Sequence, residues 1–292
     1  MIKICLGTAQ FGFDYGITNN IGKVSKKEVE KIMNFAKTNN INFFDTAQGY
    51  GESEKVLGKF LYKFPNPKVS TKLSSNNNTT FTEKDIKYWE SSFQRSLDNL
   101  KINIIDTFLI HNSNDLKKEG NKFLKSWLNS LLERNLVKRI GISIYEACDL
   151  KEISLENIKL VQLPLSLYDQ RMIRNGTIDK LREKKISIHA RSIFFQGLLL
   201  SDEKYWPKFI SNNLRNHHKK NFQPFKKELV LKTLLNFINN CDFLESALIG
   251  ITSLNELKEI LKICQNLEVL DIKKFRKFSW DNDYELDPRN WK

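Results

Sequence analysis

Four side chains of different chemical types lie at or just beyond the ends of short apolar runs. Asp45 and Tyr50 are five residues apart in FFDTAQGYGESEKVLG (43–58), Lys72 ends KVSTK, and His111 follows IDTFLI. Taken singly, each residue has an ordinary structural role, such as capping a turn or filling a loop. Together, a carboxylate, a phenol, an ammonium and an imidazole form a set that is typical of a site for proton transfer.

These four residue types have one coherent chemistry. A phenol has a pKa of about 10 and is a poor proton donor at neutral pH, but a nearby ammonium favours the phenolate and makes the phenol a better acid. We expect Lys72 to play this role for Tyr50. Asp45 would hold the buried ammonium in place, and His111 would hydrogen-bond a carbonyl oxygen. The set suits protonation of an oxygen while hydride reaches the adjoining carbon.

The elements that must bring these residues together follow an alternating pattern. Short apolar runs, of the kind buried on both faces of a sheet, alternate with amphipathic segments along the whole chain. Parallel strands need helical crossovers, so the predicted fold class is α/β, a (β/α)8 TIM barrel. The main alternative is an open doubly wound sheet, which the lack of GxGxxG after an early strand disfavours. Strands are predicted at 2–6, 42–45, 68–72, 104–110, 139–143, 160–163, 187–191 and 247–249.

Helices are indicated between the strands. Ser25, Thr82 and Ser253 each stand three positions before an acidic residue and open an apolar periodic segment, which is a capping-box pattern. The longest irregular stretch, 201–224, is predicted to be an elaborated loop over the site. Its basic part, NNLRNHHKKNF (212–222), either contacts an anionic substrate or is solvated, and the solvated loop is favoured. Further helices are predicted at 53–61, 122–134, 177–184 and 228–239.

Length and composition favour one domain that spans 1–292. The chain has 292 residues, of which 40% are hydrophobic, and barrels of this size routinely form a single domain. No apolar run approaches the length of a membrane span, and MIKICLGTAQFG lacks the apolar region of a secretory signal. We therefore expect a soluble, cytoplasmic protein without a membrane partner.

Charge and cysteine usage exclude other classes. The formal net charge is +13, but the lysines are scattered and no nucleic-acid-binding module accompanies them, so no nucleic-acid partner is expected. Cys5, Cys148, Cys241 and Cys264 are far apart and lack companion histidines at metal-ligand spacing. Neither a disulfide framework nor a metal site is predicted.

The motifs as a set resemble those of the aldo/keto reductases. In order along nearly the whole chain, they are LGTAQFG from residue 6, DTAQGYGESEKVLG, STKL, IDTFLIHN, KRIGISIY, VQLPLSL, ARSIFFQGLLL and ALIGITSLNELKEIL. DTAQGYGESEKVLG is highly specific for that family, whereas IGIS or LGT alone would be weak. The resemblance implies a barrel enzyme that reduces an aldehyde or ketone with NADPH or NADH and without a metal. Asp45, Tyr50, Lys72 and His111 then correspond to the family's catalytic tetrad, with Tyr50 as the proton donor.

The resemblance also implies which residues contact the cofactor. These positions lie after five of the predicted strands, at the same end of the barrel as the tetrad. They are Gly7 and Thr8 beside the nicotinamide, Ser143 and Gln162 at its carboxamide, Arg191 in place of a stacking aromatic residue, Ser192, Gln196, Gly197 and Leu198 at the pyrophosphate, and Gly250, Thr252, Ser253 and Glu256 at the adenosine phosphate end. A helix that begins near Ser253 would also offer unpaired backbone N–H groups to an anion.

Some positions depart from the family pattern. Ile144 stands where Asn often follows the serine of IGIS, and Arg191 replaces a residue that is frequently aromatic, although a guanidinium can also stack on a ring. The resemblance slightly favours NADP, but Glu256 would repel a 2′-phosphate unless Lys258 or Lys262 compensates. The first predicted strand begins near the amino terminus, without the hairpin that covers the barrel bottom in many relatives.

Two functions remain open. The first is an NAD(P)H-dependent reductase of a small carbonyl substrate, for which the polar and basic loops suggest a polar or sugar-like compound. The alternative is a nucleotide-binding regulatory subunit of the same fold with little turnover. The sequence predicts neither the oligomeric state nor the physiological direction.

Overall fold

A computed structural model describes residues 2–291, and its centre is a closed barrel of eight parallel strands paired in chain order, with β1 joined to β8. This confirms the predicted (β/α)8 TIM barrel, and all eight predicted strands are present. The strands are β1 Ile4–Gly7, β2 Phe43–Asp45, β3 Lys68–Leu73, β4 Ile105–Ile110, β5 Val137–Ser143, β6 Ile158–Pro164, β7 Ser187–Arg191 and β8 Ser246–Gly250.

Helices follow the strands and pack their apolar faces on the outside of the barrel. The Ser25 hydroxyl accepts from Glu28 N, Thr82 and Asp85 form a complete capping box, and the Ser253 hydroxyl accepts from a backbone N–H, as the sequence pattern predicts. No helix within 2–291 is long and apolar enough to cross a membrane. The helices are α1 Ala9–Gly12, α2 Lys26–Thr38, α3 Ser53–Gly58, α4 Glu83–Leu100, α5 Asn121–Glu133, α6 Arg171–Arg174, α7 Thr177–Glu183, α8 Asn212–Phe222, α9 Lys227–Asn239, α10 Leu254–Cys264 and α11 Asp283–Leu286.

The barrel interior is unusually polar at both ends. Among residues 2–291, Cys5, Phe43 and Leu248 form a small apolar cluster separate from the main core, which lies between the strands and the outer helices. At the amino-terminal end, the Arg139 guanidinium contacts Glu245 Oε1 at 2.7 Å and Asp106 at 3.3 Å.

The basic segment 212–222 differs from the prediction because it is a helix, α8, and not part of an irregular loop over the site. Ser211 caps it by accepting from Leu214 N, and Leu214, His218 and Phe222 are buried at four-residue spacing. That apolar periodicity is short and interrupted by basic residues, which hid it in the sequence. None of the residues of α8 lines the cavity described below.

Candidate active site

Three neighbouring strands bring the predicted tetrad together at their carboxyl ends. Asp45 ends β2, Lys72 lies near the end of β3, and His111 directly follows β4. Tyr50 lies in the turn after β2, where Tyr50 N donates to Ala47 O at 3.0 Å. The Tyr50 ring centroid is 4.9 Å from Lys72 Nζ and 5.9 Å from the His111 ring centroid. A phenol, an ammonium and an imidazole therefore share one small volume.

The position of the Tyr50 turn depends on a close approach from α1. A Cβ atom at Gly12 would lie 1.7 Å from the Tyr50 carbonyl oxygen, so only glycine permits this contact. In the same turn, Gly51 has a φ of +56°, in the left-handed region that favours glycine. The glycines of AQFG and QGYG thus place the phenol over the carboxyl ends of the strands.

Lys72 and Asp45 form a buried ion pair at the base of the site. Lys72 Nζ lies 2.5 Å from Asp45 Oδ1 and 2.8 Å from the Thr46 carbonyl oxygen, and the Lys72 side chain is 1% exposed. Burial alone would lower the pKa of Lys72, but the charge and hydrogen bond of Asp45, together with Tyr50 and Cys5, outweigh burial and hold the pKa above its usual value. Lys72 is therefore a permanent cation beneath the Tyr50 ring.

His111 is neutral across the physiological pH range. Burial, reinforced by the positive charges of Lys72 and Arg191, lowers the pKa of His111 to about 3. A neutral imidazole carries one N–H donor and one acceptor, so His111 can donate a hydrogen bond without adding a third charge to the site.

Gln162 connects the ion pair to the cavity above it. Gln162 Nε2 donates to Asp45 Oδ2 at 2.8 Å, so both carboxylate oxygens of Asp45 have partners. Gln162 Oε1 is buried and has no hydrogen-bond partner in the described residues, although Gln162 lines the cavity. An unpartnered buried acceptor beside a cavity indicates a place for a ligand donor.

A cavity of about 450 Å³ extends from the tetrad to the start of α10. It brings together most of the predicted site residues, but Lys72, His111, Ser143, Leu198 and Ser253 do not line it. Ser143 and Leu198 are buried, and the Ser253 hydroxyl is occupied by Glu256 N. The predicted residues in its wall are Gly7, Thr8, Asp45, Tyr50, Gln162, Arg191, Ser192, Gln196, Gly197, Gly250, Thr252 and Glu256.

Two loops meet over the middle of this cavity. The segment after β1, 15–21, and the turns after β7, 192–201, supply opposite parts of the wall. Thr18 Oγ1 donates to the Gln196 carbonyl oxygen at 3.3 Å, and a Cβ atom at Gly197 would lie 2.0 Å from Thr18 Oγ1. The cavity is thus a passage with the tetrad at one end and α10 at the other.

The model of the aldo/keto reductase family matches residues 3–279. The chain belongs to the aldo/keto reductase family. Membership of this family supports the conclusion that the protein is an oxidoreductase, and it implies that the reaction is NAD(P)H-dependent reduction of a carbonyl compound.

Solved aldo-keto reductases have the same fold. AKR11C1 from Bacillus halodurans, in its holo form, is 17% identical with a TM-score of 0.72, over 99% of this chain and 95% of that one. A thermostable aldo-keto reductase in complex with the inhibitor epalrestat is 18% identical with a TM-score of 0.66, over 95% of each chain. None of the curated proteins matches the sequence. At these identities the solved structures support the fold alone.

Arg191 packs on an aromatic ring and donates to a backbone carbonyl oxygen. Its guanidinium carbon lies 4.1 Å from the Tyr145 ring centroid, and NH2 donates to the Ile144 carbonyl oxygen at 2.9 Å. No carboxylate among residues 2–291 forms a salt bridge with Arg191, whose other hydrogen bond is from NH1 to Ser192 Oγ at 3.4 Å. Arg191 lines the cavity, as Gln162 does.

Sequence analysis missed several residues that line the cavity. The segment 15–21 carries no charged motif and was not recognised, although loops at the carboxyl ends of barrel strands generally share one cleft. Lys227 and Glu259 line the end near α10. Glu259 lies three positions after Glu256 on one helix face, and this spacing was a signal that could have identified it.

Two tryptophans of the carboxyl-terminal segment lie outside the cavity wall. The Trp291 ring packs edge-on against the buried Phe195, with ring centroids 4.9 Å apart. Trp280 Nε1 donates to Glu285 Oε2 at 2.6 Å and its ring packs on His217. The Trp291 contact joins the chain beyond α10 to the turn after β7, and the contact of Trp280 with His217 joins it to α8.

Proposed function

We propose that this protein is an NAD(P)H-dependent reductase that converts an aldehyde or ketone to an alcohol, with Tyr50 as the proton donor. The observation that carries the proposal is the buried Lys72–Asp45 pair beneath the Tyr50 ring, at the end of a cavity that extends to α10.

The cavity wall suits a dinucleotide. Gln162 Oε1 is an unpartnered buried acceptor that fits the amide N–H of a nicotinamide carboxamide. Gly7 and Gly250 are register partners on β1 and β8 and both line the cavity. The Gln10 side chain lies beside Gly250, so a larger residue at position 250 would collide with it. When bound, the cofactor supplies the hydride that the carbonyl carbon accepts.

The residues of the chain supply the proton and the electrostatics. The Tyr50 hydroxyl donates its proton to the substrate oxygen, and the ammonium of Lys72 stabilises the phenolate that remains. Asp45 and the Thr46 carbonyl oxygen fix the ammonium, so little reorganisation is needed. Neutral His111 donates a hydrogen bond to the same oxygen and orients the carbonyl.

Several finer assignments are part of the proposal. The cofactor residues named from the sequence and the single domain over 1–292 rest on family resemblance and on the cavity, and the substrate is proposed only as a small carbonyl compound. The basic segment 212–222 no longer supports an anionic or sugar-like substrate, because α8 lies outside the cavity wall.

The Tyr50→Phe variant tests the proton donor. It removes the hydroxyl and keeps the ring, so we expect turnover on a verified carbonyl substrate to fall by about 10²–10⁴-fold with cofactor affinity nearly unchanged. Tyr62→Phe, at a phenol that is 80% exposed outside the cavity, is the matched control. Full turnover in Tyr50→Phe would remove Tyr50 from this role.

A panel of carbonyl compounds separates the enzyme from the alternative. Steady turnover of any member with NADH or NADPH supports the reductase. Tight nucleotide binding with negligible turnover across the panel, together with a stable partner protein, would instead support the regulatory subunit.

A further inference from the structure

The end of the cavity opposite the tetrad is formed by α9 and the start of α10. If the proposed function holds, the reactive end of the dinucleotide lies near Tyr50. The passage then leads the other half of the molecule beneath the contact of Thr18 with Gln196 and toward Thr252 and Glu256. The adenosine ribose must therefore lie at this second end, which we call the distal end and define by Lys227, Thr252, Glu256 and Glu259.

The distal end carries more negative than positive charge. Glu256 and Glu259 both line it, and its one lining cation, Lys227, already lies 3.4 Å from Glu259 Oε2. Neither of the lysines that the sequence offered as compensation lines the cavity. Lys258 Nζ lies over the Phe35 ring, 5.7 Å from its centroid. A phosphate here would meet two carboxylates and no uncommitted ammonium.

Three backbone N–H groups at the start of α10, those of Thr252, Leu254 and Glu256, are also occupied. A helix N-terminus is ordinarily a good place for a phosphate because its first N–H groups lack partners. Here Glu256 Oε2 accepts from Thr252 N at 2.6 Å, and Glu28 Oε1 accepts from Leu254 N at 2.8 Å. The Ser253 hydroxyl accepts from Glu256 N at 3.2 Å. The carboxylates of Glu256 and Glu28 therefore accept from backbone N–H groups that the sequence analysis expected to bind an anion.

We propose that the distal end selects a dinucleotide whose adenosine ribose has a free 2′-hydroxyl, and hence NADH over NADPH. Glu256 Oε1 makes no hydrogen bond among the described residues and is the acceptor for that hydroxyl, while Oε2 stays on Thr252. A carboxylate that receives a ribose hydroxyl is the usual device for this choice, and an arginine is the usual device for a 2′-phosphate. The inference rests on the proposed function and reverses the slight preference for NADP that the family resemblance gave.

Calorimetric titration of the full chain with NADH and with NADPH, in separate experiments, tests the selection without a substrate. We expect the Kd for NADH to be lower by about tenfold or more, because only NADPH brings a charged phosphate to the two carboxylates. Equal affinities, or tighter binding of NADPH, would overturn the inference. Failure of both nucleotides to bind would instead overturn the proposed function, so the two failures are distinguishable.

Variants of Glu256 identify the residue responsible. Glu256→Gln keeps an acceptor for Thr252 but removes the charge, and Glu256→Lys reverses the charge. We expect both variants to weaken the preference for NADH. In Glu256→Gln the two Kd values should come closer together, and in Glu256→Lys the Kd for NADPH should be about tenfold lower than that for NADH. The control is Glu268→Lys, which makes the same charge change at a half-exposed residue outside the cavity wall that pairs with Lys232.

The comparison between variants decides the outcome. If Glu268→Lys shifts the ratio as much as Glu256→Lys, the effect belongs to net charge and the proposed role of Glu256 is wrong. If Glu256→Lys fails to fold in a thermal unfolding measurement, Glu256→Gln decides alone, and an unchanged ratio in that variant contradicts the proposal.

Discussion

At the scale of single residues, the charge balance of the site is set by Lys72. Its ammonium is nearly inaccessible to water and is held by Asp45 and the Thr46 carbonyl oxygen. A buried cation without an opposite charge is costly, and so is a buried carboxylate without a cation. The pair therefore serves stability and chemistry together, and an experiment must separate the two.

The double substitution Lys72→Met with Asp45→Asn makes this separation. The free energy of unfolding of Lys72→Met alone should be about 3–5 kcal/mol lower than that of the parent protein, because this variant leaves Asp45 buried and unpaired. Adding Asn at position 45 should recover much of that free energy, measured by urea denaturation, since no buried charge remains. Activity should stay low in both variants while the cofactor still binds.

Each outcome of this experiment has a distinct meaning. Recovered turnover in the double variant would show that Lys72 acts only through folding. Undiminished activity in Lys72→Met would remove Lys72 from the mechanism altogether.

At the scale of elements, the sequence predicted what local patterning controls. Strands buried on both faces are visible as apolar runs, and the caps at Ser25, Thr82 and Ser253 are visible as pairs of residues three positions apart. The end of α3 was placed late, since the chain leaves the α-helix after Gly58 and forms a separate 3₁₀ turn, Leu61–Lys63. Such a boundary depends on packing rather than on periodicity.

The loops that build the site were harder to predict, for a physical reason. The contact of Thr18 with Gln196 joins residues that are far apart in the chain, and neither has a distinctive local pattern. The same limit hid α8, whose buried His218 reads as polar although its ring packs on Trp206 and Phe222. The tetrad was predictable because strand ends in a barrel converge by symmetry, whereas loop contacts have no such rule.

Gly197→Ala tests whether the meeting of these loops matters for binding. Gly197 has a φ of +90°, and a methyl group would collide with Thr18, so the two loops must separate. We expect nucleotide affinity to fall by about tenfold, measured by calorimetry, because part of the cavity wall is displaced.

Gly176→Ala is the matched control for Gly197→Ala. Gly176 has a φ of +73° with nothing within 4 Å of an added Cβ, and it lies outside the cavity wall. It should show the cost of backbone strain, about 1–2 kcal/mol of unfolding free energy, and no change in nucleotide affinity. Equal loss of affinity in both variants would argue against a role for the loop contact.

At the scale of the whole molecule, two buried histidines and the half-buried His111, in different regions, couple folding to pH. His111 lies at the active site, His189 is inside the barrel beside Glu245, and His218 is on the buried face of α8. Burial is the main cause that lowers the pKa of each, to about 3 for His111 and about 4 for His218. The unfolded chain, with histidine pKa values near 6.5, therefore binds protons that the folded protein does not.

The sign of this coupling predicts a loss of stability below pH 6.5. Because the folded pKa values are depressed, the stabilisation is complete above pH 6.5 and is lost as the pH falls toward the folded values, by up to about 1.4 kcal/mol per pH unit for each histidine. Between pH 6.5 and pH 5, carboxylates with lowered pKa values such as Glu90 and Asp85 contribute little, because they act only at lower pH. Burial raises the pKa of Asp169, which therefore acts in the opposite direction to the histidines. Urea denaturation at pH 7.5, 6.0 and 5.0 measures the slope.

His218→Asn shows whether individual histidines carry this slope. An amide can replace the contact of His218 Nδ1 with the Tyr168 hydroxyl, at 2.8 Å, but cannot take up a proton in the unfolded chain. The variant should be less stable at pH 7.5, because the ring packing is lost, yet its stability should fall less steeply between pH 6.0 and pH 5.0, by about 1.4 kcal/mol per unit. An identical slope in the variant and the parent protein would mean that His218 takes up protons equally well in both states, which its burial beside Trp206 and Phe222 argues against.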